Sequence, residues 1–299
     1  MIILTHNLRL PNDYQVANFL SFHQRDHQQL AERVHQNRLD KGFIWGGYPA
    51  HLSIHFNALQ AHAKLQLNSD TELHSTILDP WPNWIQYFLG ITQATDKFAY
   101  THQQHPELGP ILRSQHGLRI AQTSSPFEAI SWAVIGQQIS VAAAISIRRR
   151  FIQLAGVQHL SGLWCYPDAS SVAQLTIEQL RSIGLSPKKA STIATISQMI
   201  SSQVLKFPTQ VTSQNIAQLR AELLAIPGVG PWTINYTLMR GLAWLDSSLH
   251  DDAAVRRYLQ TLLKLEKITA KQAEQWLLQF SPWRSLVAAH LWQSRGLSA

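Results

Sequence analysis

Apolar and polar positions change their rhythm once along this chain. Near the N-terminus the period is two. MIILTHNLRL, HLSIHFNAL and AKLQLN alternate as half-buried strands do. Between the first and second of these, DYQVANFLSFHQRDHQQLAERVHQ carries Val16, Phe19, Leu20 and Phe22 at near-helical spacing. Asp13 stands where an N-cap belongs, and Lys41–Pro49 (KGFIWGGYP) is rich in turn residues. From about residue 80 the period becomes helical, broken by short Gly, Pro and Ser punctuation. DPWPNW marks the change. The pattern predicts a mainly α protein with a small N-terminal α+β unit: residues 1–78 as a mixed domain with an antiparallel sheet, and 79–299 as a helical domain.

Three segments of the helical part carry candidate chemistry. In the first, Ser125 can cap a helix, Pro126 suits its first position and Glu128 completes capping-box spacing. That helix, Phe127–Ile135, runs into Gly136, Gln137 and Gln138. Ser140 then caps a second helix expected to end in Arg148–Arg150. Two amides at such a junction suit a probe of base edges, but taken alone an exposed loop is the plainer reading.

The second segment is a helical hairpin at about 215–241. Ile216, Leu219, Leu223 and Ile226 form one apolar face, followed by Pro227-Gly228-Val229-Gly230-Pro231. Glycines on both sides of Val229 permit a tight turn without Cβ obstruction, and Pro231 pre-sets the next helix. The free N–H groups at that helix start can hold a phosphate oxygen without reading sequence. An ordinary turn between two helices is the alternative to which a bare Gly-x-Gly would point, but LLAIPGVGPWT, with a helix on each side and an apolar middle residue, is a specific pattern.

The third segment follows the hairpin. Its second helix bears Trp232, Tyr236 and Met239 on one side, while Ile234 and Leu238 can serve the core. After LDSSLH comes Asp251-Asp252, opening a further helix. A carboxylate in a helix's first turn is favoured by the dipole, and it can stabilise positive charge on a sugar whose glycosidic bond is breaking. Asp is also among the commonest structural N-caps. The order of parts, hairpin then aromatic face then loop then Asp, favours chemistry.

Composition narrows the classes. The single cysteine, Cys165, excludes an internal disulfide, an all-cysteine zinc site and a four-cysteine iron–sulfur cluster within the chain. No signal-peptide pattern opens the sequence, and no apolar run approaches the ~20 residues of a membrane span. A soluble protein of the cytoplasm is expected. Net charge is +7. Between Gly109 and Arg240 stand eleven Lys/Arg and four Asp/Glu, so the whole excess lies mid-chain, as a polyanion-binding surface requires.

Four segments in order resemble the helix-hairpin-helix, Gly/Pro-rich loop, Asp superfamily of DNA glycosylases: PFEAISWAVIGQQIS, LRSIGLSPKKA, LLAIPGVGPWTINYTLMRGL with DDAAVRRYL, and PWRSLVAAHLW. Within it the chain is most similar to the bacterial 3-methyladenine DNA glycosylase II branch, and DYQVANFL in the N-terminal unit resembles that branch too. The resemblance implies a base-excision-repair enzyme that flips an alkylated purine out of the duplex and hydrolyses its N-glycosidic bond. It selects Asp252 over Asp251 as the catalytic carboxylate, since Asp252 precedes the basic Arg256 by one helical turn. It places the DNA wedge on Gln138 with Gln137 beside it. The base pocket falls on Trp232, Tyr236, Trp292 and Phe19, and the phosphate hairpin on Gly228, Val229 and Gly230. His250 departs from the proline that commonly precedes the acidic pair.

Lyase-type relatives carry a lysine where this chain has Trp232, so no Schiff-base nucleophile is expected and water should take the sugar. Lys188 and Lys189 then read as phosphate contacts. Cationic alkylpurines would gain a cation–π term of ~0.5–2 kcal/mol from the rings. The expected partner is double-stranded DNA with damaged bases, bound by a monomer associated with the nucleoid. No catalytic metal or cofactor is expected, beyond a monovalent cation at the hairpin carbonyls. The rival expectations are a lesion-sensing or architectural DNA-binding protein without catalysis, and a glycosylase for oxidised or deaminated bases.

Overall fold

A computed structural model describes residues 1–69 and 72–294 of the chain. Five strands, β1 (Ile2–Arg9), β2 (Glu32–His35), β3 (Arg38–Trp45), β4 (Tyr48–Asn57) and β5 (Gln60–Leu67), form one antiparallel sheet in the order β1-β5-β4-β3-β2. The helices are α1 (Val16–His23), α2 (Ser75–Leu78), α3 (Trp81–Phe88), α4 (Thr95–His102), α5 (Leu108–Ser114), α6 (Pro126–Gly136), α7 (Val141–Ala155) and α8 (Ala169–Ala173). They continue with α9 (Ile177–Ser182), α10 (Pro187–Ser201), α11 (Ser213–Leu224), α12 (Pro231–Gly241), α13 (Ala253–Leu262), α14 (Ala270–Leu278) and α15 (Arg284–Gln293). The mainly α architecture with a small N-terminal sheet is as the period change predicts.

The predicted strands form, but four local expectations need correction. The helix proposed from Asp13 onward stops at His23, and Glu-Arg-Val-His becomes edge strand β2. Asp13 does not cap α1; its carboxylate takes Arg119 at 3.1 Å. Lys41–Trp45 is strand rather than turn, and only Gly46-Gly47 reverses the chain. Lys41 and Glu32 answer charges far away in sequence, which no local window shows. Helix α7 also runs past Arg148–Arg150 to Ala155.

The cap readings at Ser125 and Ser140 hold, since each side chain accepts an N–H from the third residue on. Glu128 does not close a capping box, however. Its Oε2 accepts from Ser124, and its Oε1 meets Lys41 Nζ at 2.9 Å and Arg148 Nη2 at 3.1 Å. Glu32 accepts from the same lysine at 2.6 Å and the same arginine at 3.1 Å. His23 Nδ1 lies 2.9 Å from Glu32. Two acids and two bases are thus balanced inside the protein, joining β2 and β3 to α6 and α7.

Apolar packing crosses the same junction. Trp81 and Trp84 of α3 stack on one another and meet Trp45 edge-to-face, and Phe43 stacks on Trp84. One hydrophobic core therefore runs from the sheet, across residue 78, to the hairpin residues Ile216, Leu219, Leu223 and Ile226. A second core gathers α4, α5 and α13–α15. Helix α12 lies between the two. Ile234 and Leu238 face the first core, while Met239 and Trp232 pack on the second.

Candidate active site and DNA-facing loops

Loop geometry fixes the position of Asp252. Asn235 Nδ2 donates to Ser248 O at 2.7 Å, the Ser248 hydroxyl lies 2.9 Å from His250 Nδ1, and Arg284 clasps Asp246. These contacts hold the loop where His250 replaces proline. Asp251 is exposed, with a carboxylate oxygen 3.4 Å from His250 Nε2. Asp252 is half-buried and caps α13: its Oδ1 accepts from the N–H groups of Ala254 and Val255, each at 2.9 Å.

Capping is only part of its surroundings. Trp292 Nε1 donates to the same Oδ1 at 3.1 Å, and Trp232 Nε1 donates to Oδ2 at 3.0 Å. Four N–H donors thus converge on one carboxylate, and two belong to half-exposed indoles. Oδ1 accepts three of the bonds. Oδ2 accepts one and keeps lone-pair capacity for a sugar or a water. Tyr236 completes the ring row, with its centroid 5.4 Å from that of Trp232 in a stacked arrangement and 6.4 Å from that of Trp292. The structure brings Asp252, Trp232, Tyr236 and Trp292 into one cluster.

Phe19 does not join it. That ring is buried among Tyr14, His23, Phe56 and Phe88, as core between α1 and the sheet. The α1 ring that approaches the cluster is Phe22, three residues on. It lies 4.3 Å from the guanidinium of Arg240, which lies 5.6 Å from the Trp292 ring. Arg25 covers Phe22 at 4.0 Å.

Arg240 extends the α12 stripe Trp232–Tyr236 by one more step of four, a spacing visible in the sequence though not singled out there. Its Nη1 donates to Ala121 O at 2.7 Å, and burial pushes its pKa down to about 10. The row of rings therefore ends at a cation. Met239, read as part of the aromatic face, is fully buried core instead.

The hairpin forms between α11 and α12 with Val229 buried beneath it. Only one of its two glycines has a left-handed backbone. Gly228 has φ +91°, and a β-carbon there would stand 2.1 Å from Thr192 Oγ1. Gly230 is extended (φ −108°) and serves as the N-cap of α12, with open space where a side chain would be. No side chain caps α12, which leaves its N-terminus for an anion. Two carbonyls of the turn meet protein donors: Pro227 O accepts from Thr192 Oγ1 at 2.8 Å, and Gly228 O from Gln137 Nε2 at 3.0 Å.

That last bond corrects the role of Gln137. Its amide also donates to Thr233 Oγ1 at 2.9 Å, so it ties α6 to the hairpin and does not project outward. Gln138 is the exposed tip, left-handed at φ +56°, with the apolar Ile139 and Val141 exposed beside it. Lys189 likewise departs from expectation. Its ammonium donates to Ile135 O at 2.9 Å and Gln137 O at 2.7 Å, and burial lowers its pKa. Several other mid-chain cations are also engaged: Arg148 with Glu32 and Glu128, Arg119 with Asp13, and Arg220 with Asn235. Arg150, Arg181, Lys188 and Lys206 remain exposed, and they are the charges free to meet a polyanion.

Residues 131–282 match the family model described as HhH-GPD superfamily base excision DNA repair protein. The chain is 29% identical over 185 residues to the DNA-3-methyladenine glycosylase of Bacillus subtilis (strain 168), covering 60% of this chain and 61% of the relative. It is 27% identical over 191 residues to DNA-3-methyladenine glycosylase 2 of Escherichia coli (strain K12), covering 63% and 64%. The match to these relatives thus spans less than two thirds of their length. The structure superposes on a 3-methyladenine DNA-glycosylase from Archaeoglobus fulgidus with a TM-score of 0.81 at 18% identity, covering 98% of this chain and 100% of that one. At that identity the likeness is one of fold.

Proposed function

The chain belongs to the HhH-GPD superfamily of base excision DNA repair proteins, and on that premise we propose that it is a monofunctional DNA glycosylase that removes alkylated purines from duplex DNA. The observation that carries the reading is the Asp252 carboxylate, held between the indole N–H groups of Trp232 and Trp292 with Oδ2 still able to accept. Relatives named for 3-methyladenine support the substrate class. The enzyme works as a monomer on nucleoid DNA, without a cofactor.

Extrusion of the damaged nucleotide comes first. The α12 N-terminus takes a phosphate oxygen on backbone N–H groups, and Gln138 fills the gap left by the extruded base. The base then lies against the Trp232–Tyr236–Trp292 row. An N3- or N7-alkylated purine already carries positive charge, so it leaves readily as a neutral base and needs no general acid. As the bond breaks, positive charge grows on the sugar. Oδ2 of Asp252 faces that charge and orients the water that captures it.

Position 232 holds an indole that cannot form a Schiff base, so hydrolysis is the outcome. The direct test incubates the protein with methylated duplex DNA in the presence of borohydride. Methylated purines should be released, leaving abasic sites and no covalent protein–DNA adduct. Covalent capture would place the chain among the lyases, and no release at all would reduce it to a DNA-binding protein.

The exposed cations carry a separate expectation. Affinity for undamaged duplex should fall with salt, with a log–log slope near −0.9 per neutralised phosphate. Lys188→Ala should flatten that slope by about 0.9 if Lys188 meets a phosphate. An unchanged slope, measured by titration at several salt concentrations, removes Lys188 from the DNA face.

A further inference from the structure

The engagement of Lys189 has a use that the proposed chemistry does not exhaust. Two loops must meet DNA at once: the tip at Gln138, and the hairpin turn at Gly228–Gly230. They come from helices far apart in sequence, and α10 holds both. Lys189 and Thr192 lie one turn apart on α10. The Lys189 ammonium donates to Ile135 O (2.9 Å) and Gln137 O (2.7 Å), carbonyls around the C-terminus of α6. These lie where a helix leaves its last acceptors without internal partners and where its dipole favours a cation. Thr192 Oγ1 shares its single hydrogen between Pro227 O (2.8 Å) in the hairpin and Lys188 O (2.8 Å) of its own helix.

The Gln137 side chain closes the circuit by donating to Gly228 O (3.0 Å) and Thr233 Oγ1 (2.9 Å). The result is a ring of hydrogen bonds running from α10 to the end of α6, across to the hairpin and back to α10. Gly228 is part of its fit, because any β-carbon there would strike Thr192.

Gln138 follows directly, in a backbone region that a residue with a β-carbon seldom adopts (φ +56°). Such a conformation persists when its surroundings over-determine it. Here the carbonyl of the preceding residue is pinned by an ammonium and its side chain by the hairpin. We propose that Lys189 is a positioning residue: it fixes the eversion tip Gln138 relative to the phosphate-binding hairpin, so that anchoring of the DNA backbone is converted into opening of the base pair. The phosphates then serve as the fulcrum against which Gln138 acts. A lysine reaching phosphate directly would leave its nitrogen toward solvent, whereas this one is turned inward onto two carbonyls.

The inference rests on the glycosylase reading, and the experiment separates the two. Single-turnover release of 7-methylguanine is measured from a fully paired duplex and from the same strand with the lesion in an unpaired bulge. Salt dependence of binding to undamaged duplex is measured in parallel. For Lys189→Met, release from the paired site should fall at least ~30-fold, while release from the bulge stays within about threefold and the salt slope is unchanged. Gln137→Ala, which cuts the opposite side of the ring in a half-exposed loop, should show the same split. It carries the test if Lys189→Met fails to fold.

Equal losses on both substrates in these variants would mean a general structural or chemical role and overturn the inference. A salt slope flatter by about one unit in Lys189→Met would make Lys189 a phosphate contact and overturn it as well. Unaltered release by both variants would overturn it while leaving the glycosylase reading intact. A wild-type protein that releases no base from either substrate would end both.

Discussion

Asp252→Asn is expected to slow the proposed release of alkylated purines by at least ~10²-fold, the scale of removing one preorganised electrostatic partner, or about 2.7 kcal/mol. The substitution is informative because it spares the fold. Asn is as good an N-cap as Asp, and its carbonyl oxygen can still accept from Ala254 and Val255 in place of Oδ1. What changes is the Oδ2 position. There an amide N–H would face the Nε1–H of Trp232, donor against donor, and nothing negative would face the sugar. The melting temperature should therefore move by only a few degrees while the rate collapses. Release rates from methylated duplex, with thermal melts on the same preparations, make the check. Undiminished release by a folded Asn variant would remove the carboxylate from the mechanism.

Glu128→Gln produces the largest expected loss of stability, about 3–5 kcal/mol, which in a protein of this size lowers the melting temperature by roughly 10 °C. Glu128 and Glu32 balance Lys41 and Arg148 with side chains almost wholly out of water. Removing one carboxylate leaves two buried cations facing the single remaining carboxylate of Glu32, and their desolvation is then only half compensated.

The same cluster sets an acid limit. Burial alone would raise the Glu128 pKa, but Lys41 and Arg148 outweigh it and bring the value down to about 2; Glu32 is lowered as well. A carboxylate whose folded pKa is depressed contributes stability above its unfolded value, and loses it as pH falls toward the folded one. For Glu128 that window runs from about pH 4.5 down to about 2. Buried histidines act in the same direction from higher pH. Burial lowers His23, and it pushes His290 down to about 3, so below about 6.5 the unfolded chain takes up protons that the fold refuses. Stability should fall on acidification, and Glu128→Gln should flatten its lower part. A wild-type melting temperature unchanged from pH 7 to pH 4 would contradict this account.

Contacts of this kind separate what could be read in one dimension from what could not. The caps at Ser125 and Ser140, the hairpin at Gly228–Gly230 and the helix start at Asp252 were legible, because each depends on residues within a few positions of one another. The alternating strands were legible for the same reason. Phe19 and Phe22 could not be told apart, since both suit the apolar side of one helix and only the packing of α1 decides which ring reaches Arg240. Charge counting overstated the DNA surface for a related reason. It cannot tell Arg148, spent on Glu32 and Glu128, from Arg150, which stays exposed.

By itself the sequence determined three of the five strands, the two hairpin helices with the uncapped helix start behind the turn, and the absence of a lysine at position 232, all consequences of local backbone preference and residue identity. Only the tertiary structure decided that Trp292, 40 residues beyond Asp252, shares that carboxylate with Trp232, and that Glu128 finds Lys41 across 87 residues. It also decided that Lys189 turns inward while Lys188 stays out. The reason is physical. A cap or a turn gains its free energy within a few residues of chain, whereas a buried charge or an indole N–H must find its partner wherever packing of the cores brings one.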